Sequence, residues 1–350
     1  MSVMPSGTHD AAAPQRRSLA GRGASADAPL PVITHADVVA ARRLIAGRIH
    51  RTPLVTSRTL GEICGGTRTF LKLENLQRTG SFKPRGALNK VLHLSDAQKQ
   101  AGLVAASAGN HAQAVAFAAT SQGVRAIVVM PETAPWSKVE ASRRYGAEVI
   151  LEHSFAEAFR KADELRAERG YTFIHPYDDE HVIAGQGTVG LEILEDLPEV
   201  DAIVVATGGG GLVVGIAAAL KASHPHIRII GVEPEGAAGL HAALDAGEVV
   251  QLERIRTIAD GLATPNTGRI VLEHARALLD DVVLVTDDDI VQAMLFLLER
   301  SKIMAEPAGA AAVAALLAGK VSFEPGARVA IVISGGNIDL SKLRTLLPEK

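Results

Sequence analysis

A chain of 350 residues with a net charge of −3 and a single cysteine can bury one large core or two modest ones. Its scattered basic residues and 3% aromatic content argue against a nucleic-acid partner, which needs a basic face or stacking rings. Cys64 alone excludes an intramolecular disulfide and fits a reducing, cytoplasmic compartment, and no apolar run reaches bilayer-spanning length.

Residues 1–32 are rich in Ala, Ser, Gly and Pro without an apolar period, the composition of a disordered arm. Arg16, Arg17 and Arg22 hint at a transit peptide, but Asp10, Asp27 and the lack of an amphipathic face oppose it. Thr34 is placed to cap a helix through about Ile49, and Phe70 to Glu74 reads as a strand. A helix follows Lys83 to Leu94. Strand Leu103 to Ala106 then leads into an alanine-rich helix. The alternation continues with strand Arg125 to Met130, helix Trp136 to Tyr145, strand Glu148 to Leu151, helix Ser154 to Glu168 and strand Thr172 to Ile174. A helix begins near Val182. Strand Ala202 to Ala206 and helix Val213 to Ala222 come next, then strands Arg228 to Val232 and Asp281 to Val285. Thr286, with Asp287, Asp288 and Asp289, opens a helix to Lys302, since anionic side chains suit a helix start. Strand Val329 to Ile333 leads to a last helix ending near Leu347. Continuous Val- and Ile-rich strands alternating with helices predict an α/β architecture of open parallel sheets.

Lys83 is the most informative residue. It lies in Ser81-Phe82-Lys83-Pro84-Arg85-Gly86-Ala87, among small and apolar neighbours. Burial disfavours the charged amine, and a neutral amine can attack an aldehyde to form a Schiff base. The alternative is a solvated lysine opening a helix. Three glycine-bearing turns accompany it. Ser107-Ala108-Gly109-Asn110-His111 follows a strand and opens a helix, with Asn110 in the N-cap position and free N–H groups suited to an anion. Thr207-Gly208-Gly209-Gly210-Gly211-Leu212 can cradle a phosphate with its backbone N–H groups. Ser334-Gly335-Gly336-Asn337 follows the last strand. None is a P-loop or a dinucleotide fingerprint. A buried amine with a phosphate cradle points to pyridoxal phosphate. A nucleotide-binding protein without covalent chemistry is the reading of another class; it leaves Lys83 and Ser334 without a shared purpose.

In the order in which they occur, these segments resemble the serine/threonine dehydratase family, fold type II pyridoxal phosphate enzymes with a tryptophan-synthase-β-like fold. The similarity runs from about Thr34 to about Leu347 and takes in His175-Pro176-Tyr177-Asp178-Asp179, Ile183-Ala184-Gly185-Gln186-Gly187-Thr188 and Glu306-Pro307-Ala308-Gly309-Ala310. Within the family the chain looks most like the short threonine dehydratases (threonine ammonia-lyases). The resemblance implies two α/β domains with the cofactor in the cleft: a large one of residues 33–95 and 177–350, a small inserted one of residues 96–176, and no C-terminal regulatory domain. It implies that L-threonine, and L-serine as well, lose ammonia to give 2-oxobutanoate or pyruvate, in isoleucine biosynthesis or threonine catabolism. Serine racemase and dehydratases of 3-hydroxyaspartate, phenylserine or hydroxyectoine-pathway substrates are the alternatives.

By the same resemblance Lys83 binds the cofactor and removes the Cα proton. Phe82 packs on the ring, or is simply a core aromatic. Gly208, Gly209, Gly210, Gly211 and Leu212 hold the phosphate, with Ser81 supporting it or placing the lysine's neighbours. Asn110 meets the ring's 3′ oxygen, and Ser334 meets the pyridine nitrogen. A hydroxyl there makes a weaker electron sink than an acid would and favours rapid loss of a β-leaving group. The cofactor's phosphate is the implied proton donor to that group. Ser107, Gly109, Asn110 and His111 take the substrate carboxylate, His111 not being the base. Ala108 and Tyr177 stand where the racemases carry a serine and an asparagine, which favours elimination. Glu233 matches a residue of the racemases' cation site, so a structural cation is expected beside it, although Gly239 replaces an aspartate; the alternative is that Glu233-Pro234-Glu235 merely ends a strand. Glu306 begins a helix and either contacts the glycine turns or is a plain acidic residue at a helix start. A homodimer or homotetramer is implied, and activation by a nucleotide is left open.

Overall fold

The computed structural model describes residues 33–346; the arm expected over residues 1–32 lies outside the described residues. Ten strands run in chain order: β1 Leu54–Thr56, β2 Arg68–Leu73, β3 Leu103–Ala106, β4 Ala126–Pro131, β5 Glu148–Glu152, β6 Thr172–Phe173, β7 Ala202–Ala206, β8 Arg228–Pro234, β9 Asp281–Val285 and β10 Arg328–Ile333. They form two sheets, one of six strands in the order β1-β2-β10-β7-β8-β9 and one of four in the order β5-β4-β3-β6. The α/β architecture is as the sequence predicts. One pairing departs from the all-parallel expectation: the short β1 runs antiparallel to β2 at the sheet edge. The connection between them carries the short helix Arg58–Ile63, and an antiparallel neighbour needs no crossover to the other end of the sheet.

Buried strands explain the apolar runs. Every residue of β3, β4 and β7 is buried, as a sheet covered on both faces requires. The helices on them are correspondingly apolar. Gly211–Leu220 is buried at every position, and the alanine-rich Pro307–Leu317 is buried from Pro307 to Leu316, small side chains letting it lie close to β10 and β7. The core beside the four-stranded sheet also draws in Ile45, Ala87, Leu88, Val91 and Leu94, so the helix that follows Lys83 packs into that core.

Helix contacts of unusual closeness account for the glycines early in Glu180–Asp196. A Cβ on Gly187 would stand 2.5 Å from the Gly215 carbonyl oxygen, and one on Gly185 would stand 2.5 Å from the Arg85 carbonyl oxygen. Both neighbours are backbone and cannot turn aside. Gly187→Ala is therefore expected to destabilise the fold by roughly 1–3 kcal/mol, the usual cost of overpacking, read as a lower urea midpoint with unchanged slope.

Several boundaries differ from expectation. The first helix, His35–Ile45, has the Thr34 cap and a reciprocal Asp37 bond but ends short of Ile49. The helix after Thr286 is α-helical only over Asp287–Phe296. It widens into a π turn over Leu297–Ser301, and Lys302 at φ 59° ends it. The helices Arg58–Ile63, Asp96–Ala101, Gly239–Ala246 and Arg269–Leu278 have no counterpart in the sequence reading.

Candidate active site

The predicted residues meet at the carboxyl ends of parallel strands, where open α/β sheets place ligands. Lys83 follows β2, Ser334 follows β10 and the glycine turn follows β7, and these strands are neighbours in the six-stranded sheet. Adjacent strands lie roughly 4.8 Å apart, so residues far apart in sequence share one rim. Ser107 follows β3 on the facing sheet. Between the two sheets lies a cavity of about 320 Å³ lined by Phe82, Lys83, Ser107 to His111, Gly208 to Leu212 and Ser334. All the predicted site residues line it except Ser81 and Glu233.

Two short 3₁₀ turns carry the chain from β2 to Lys83. Thr79 and Gly80 take φ of 63° and 74°. Ser81 then pairs with Gly335 in an isolated antiparallel bridge, and Phe82 N donates to Ser334 O at 3.1 Å. The segment bearing Lys83 is thus sewn to the segment bearing Ser334. Ser81 itself is outside the cavity lining, and its buried Oγ has no partner. Phe82 lines the cavity and packs on the main apolar core. Lys83 Nζ donates to Pro176 O at 2.8 Å and lies 5.1 Å from the Phe82 ring centre. Burial lowers its pKa to about 8. About a tenth of this amine is then neutral at pH 7, far more than in a solvated lysine.

The glycine turn serves the protein as well as any ligand. Gly210 adopts φ 87°. A Cβ on Gly209 would come 2.2 Å from the Tyr177 ring, and one on Gly208 would come 2.9 Å from Leu262 Cα. Tyr177 OH donates to Asn266 O at 3.1 Å, and burial raises its pKa to about 12. The first N–H groups of Gly211–Leu220 have no intrahelical acceptor and belong to cavity-lining residues. Ser334 Oγ reaches Ala308 O over a long 3.4 Å.

The Ser107–His111 turn differs from its predicted local geometry. Gly109, not Asn110, is the N-cap of Asn110–Ser121. The Asn110 side chain is committed elsewhere: Nδ2 donates to Glu306 Oε1, and Oδ1 accepts from Asn337 Nδ2 at 2.9 Å. Ser107 Oγ accepts from Gly109 N at 3.2 Å. His111 Nε2 lies 2.8 Å from Ile174 O. Burial, reinforced by the Lys83 charge, depresses its pKa to about 3, so the ring is neutral and bonded to the backbone.

Glu306 contacts the last glycine turn, its N donating to Gly335 O at 3.1 Å, and is not a plain acidic residue at a helix start. It occupies the N-cap position of Pro307–Leu317, but it is 1% exposed and its Oε2 lies 3.3 Å from Lys138 Nζ. Lys138, also buried, reaches Asp260 Oδ2 at 3.1 Å. Both Lys138 and Asp260 line the cavity, and the sequence reading missed both. A lysine on the buried side of Trp136–Arg144 was the available signal. A second buried cluster was missed beside Lys83. Arg85 is held by Glu74 and Glu192, and Lys72 by Glu192. Charges inside the otherwise apolar strand Arg68–Leu73 were its trace in the sequence. Glu233 does not line the cavity. Its oxygens accept from Leu240 N at 2.9 Å and His241 N at 2.7 Å, and burial raises its pKa to about 8. Among the described residues no group of three or more His, Cys, Asp or Glu could hold a metal ion, and no helix is long and apolar enough to cross a membrane.

A desolvated lysine amine, a glycine cradle at a helix start and a serine hydroxyl on one cavity fit a ring that bears both an aldehyde and a phosphate. Comparison with known proteins agrees. The family described as "Pyridoxal-phosphate dependent enzyme" matches residues 45–335. An L-threonine ammonia-lyase of Thermotoga maritima is 47% identical over 317 residues, 90% of this chain and 78% of that protein. A threonine deaminase structure from T.th. superposes with a TM-score of 0.82 at 43% identity, covering 88% of this chain and 99% of the other. Maize serine racemase superposes with a TM-score of 0.85 at 40% identity, covering 89% and 96%. By the length of the match and by the cavity that its motifs build, the chain belongs to the pyridoxal-phosphate dependent enzymes.

Proposed function

We propose that this protein is a pyridoxal-phosphate-dependent threonine ammonia-lyase, converting L-threonine to 2-oxobutanoate and ammonia and L-serine to pyruvate and ammonia. The observation that carries the reading is the half-buried Lys83 amine, lowered to about 8 by desolvation, on the same cavity as the glycine turn and Ser334. When bound, pyridoxal phosphate supplies an aldehyde for the substrate amine and a ring that withdraws electrons from Cα. Lys83 Nζ accepts the Cα proton in its neutral form. The N–H groups of Gly208 to Leu212 would hold the phosphate, Ser334 Oγ would serve the ring nitrogen without giving it a full charge, and Phe82 would bound the ring. Asn110 would offer its amide to the ring oxygen. Ser107, Gly109, Asn110 and His111 hold the substrate carboxylate through short side chains and backbone, with neutral His111 keeping the turn in place through Ile174 O.

A racemase needs a second proton carrier on the opposite face. Ala108, on the cavity wall, has no such proton, which supports elimination over racemisation. The names of the relatives, L-threonine ammonia-lyase and threonine deaminase, support the same substrate. The reading also divides the chain into a large domain of residues 33–95 and 177–350 and an inserted one of 96–176. It includes a homodimer or homotetramer in the cytoplasm. A structural cation at Glu233 would compete with two backbone donors for the same oxygens.

The test is a panel of β-hydroxy amino acids with keto-acid and ammonia detection, and chiral analysis of the L-serine reaction. L-Threonine is expected to give the largest kcat/KM, with 2-oxobutanoate and ammonia in equal amounts. A preference for 3-hydroxyaspartate or phenylserine, or D-serine as the main product from L-serine, would reassign the substrate.

A further inference from the structure

Lys138 lies across the cleft from the groups it contacts. It sits on helix Trp136–Arg144, beside the four-stranded sheet, and is 4% exposed. Its partners Asp260 and Glu306 come from the segments around the six-stranded sheet, at 3.1 and 3.3 Å. Lys342 Nζ stands 3.8 Å from the other Asp260 oxygen. Two cations thus face two carboxylates, and the Lys138 charge is available to Glu306.

Glu306 needs it. A carboxyl buried this deeply tends to keep its proton, and burial raises the Glu306 pKa while Lys138 opposes the rise. The state of Glu306 decides what Asn110 can do. An ionised carboxylate only accepts hydrogen bonds, whereas a protonated one can also donate. Facing an ionised Glu306, Asn110 must present its NH₂. Its carbonyl oxygen then meets Asn337 Nδ2 at 2.9 Å, and Asn337 is in turn anchored to Thr79 O at 2.6 Å. One amide hydrogen of Asn110 is used on Glu306, and the second remains for an acceptor in the cavity that Asn110 lines. With a protonated Glu306 the amide loses its charged acceptor, and Asn337 alone is left to hold its orientation.

We infer that Lys138 is a positioning residue: by balancing Glu306 it keeps the Asn110 amide turned with its N–H toward the cavity, where a ligand oxygen is to be held. The inference deepens the proposed function and rests on it, since the ligand oxygen is that of the pyridoxal ring. Lys138 touches neither ring nor substrate in this role and acts only through Glu306 and Asn110.

The test titrates pyridoxal phosphate into the cofactor-free full-length protein, following the visible band, and records the melting temperature of each cofactor-free variant. Lys138→Met should weaken pyridoxal phosphate binding about tenfold, the scale of one lost charge-dependent hydrogen bond. Lys138→Arg should restore most of it. Asn110→Ala should cost a similar factor. The double variant Lys138→Met/Asn110→Ala should bind no more weakly than Asn110→Ala alone, because residues acting in series are not additive. A general loss of structure would lower affinity further in the double variant and would not be rescued by Arg. If Lys138→Met fails to fold, Glu306→Gln takes its place in the same cycle with the same expectation. Unchanged affinity in Lys138→Met, or factors that multiply in the double variant, would overturn the inference while the proposed function stands. Failure of the wild-type protein to bind pyridoxal phosphate would sink both.

Discussion

A Lys83→Ala protein will bind no cofactor covalently and will lose its visible absorption band and its turnover together, the latter by about 10³-fold or more, the scale of a lost acid–base group. The melting temperature of the cofactor-free protein should change little, because Lys83 Nζ makes one bond to a carbonyl, Pro176 O, and its charge is already disfavoured by burial. Borohydride treatment of the wild-type holoprotein should leave the label on the peptide containing Lys83 and on no other. The pH dependence follows from the lowered pKa. Below about 8 the amine is mostly protonated and cannot attack; above it the amine is mostly neutral. The rate of covalent attachment in the cofactor-free protein should therefore climb about tenfold per unit from pH 6 to 7 and level off above the pKa. A variant that kept its colour and its activity, or a label on another lysine, would remove the basis of the proposed function.

Arg85→Ala will have the largest effect on stability and none of the spectral specificity of Lys83→Ala. The guanidinium is fully buried. Nε and Nη2 donate to Glu74 at 2.8 Å each, and Nη1 and Nη2 donate to Glu192 at 2.7 and 2.9 Å. The remaining Nη1 hydrogen reaches Thr188 Oγ1 at 3.1 Å. Lys72 Nζ adds a bond of 2.6 Å to Glu192, so two cations balance two carboxylates. Removing Arg85 leaves that pair of buried carboxylates facing a single cation. Breaking one partner of a buried pair costs about 3–5 kcal/mol, which at this size lowers the melting temperature by roughly 5 °C. Arg85→Lys should recover only part of the loss, because an ammonium cannot serve two carboxylates with a planar fork. Thermal and urea unfolding of the three proteins would decide it. A melting temperature within a degree of wild type in Arg85→Ala would mean that the cluster does not hold the Lys83-bearing helix to β2 and to Glu180–Asp196.

Legibility in the sequence followed the range of the interactions. The strands β3 and β7 were placed residue for residue, since covered parallel strands are unbroken apolar runs and need no distant partner to be seen. The Thr286 cap was legible for a similar reason: its bonds join residues three apart. Gly109 took the N-cap instead of Asn110 because the asparagine amide had distant partners, Glu306 and Asn337.

The amino-acid sequence by itself determined the chemistry that this protein carries: an amine among apolar neighbours at Lys83, a four-glycine turn at a helix start and a hydroxyl at Ser334, each set by its immediate surroundings. The tertiary structure alone decided that these become one site. Strand β10 lies between β2 and β7, which brings Ser334 beside a lysine and a glycine turn far from it in sequence. It likewise decided that Arg85 meets Glu192, 107 residues away, and that Glu306 is buried against Lys138. Strand order and charge pairing across such distances depend on which surfaces the folded chain brings together, and no local run of residues carries that information.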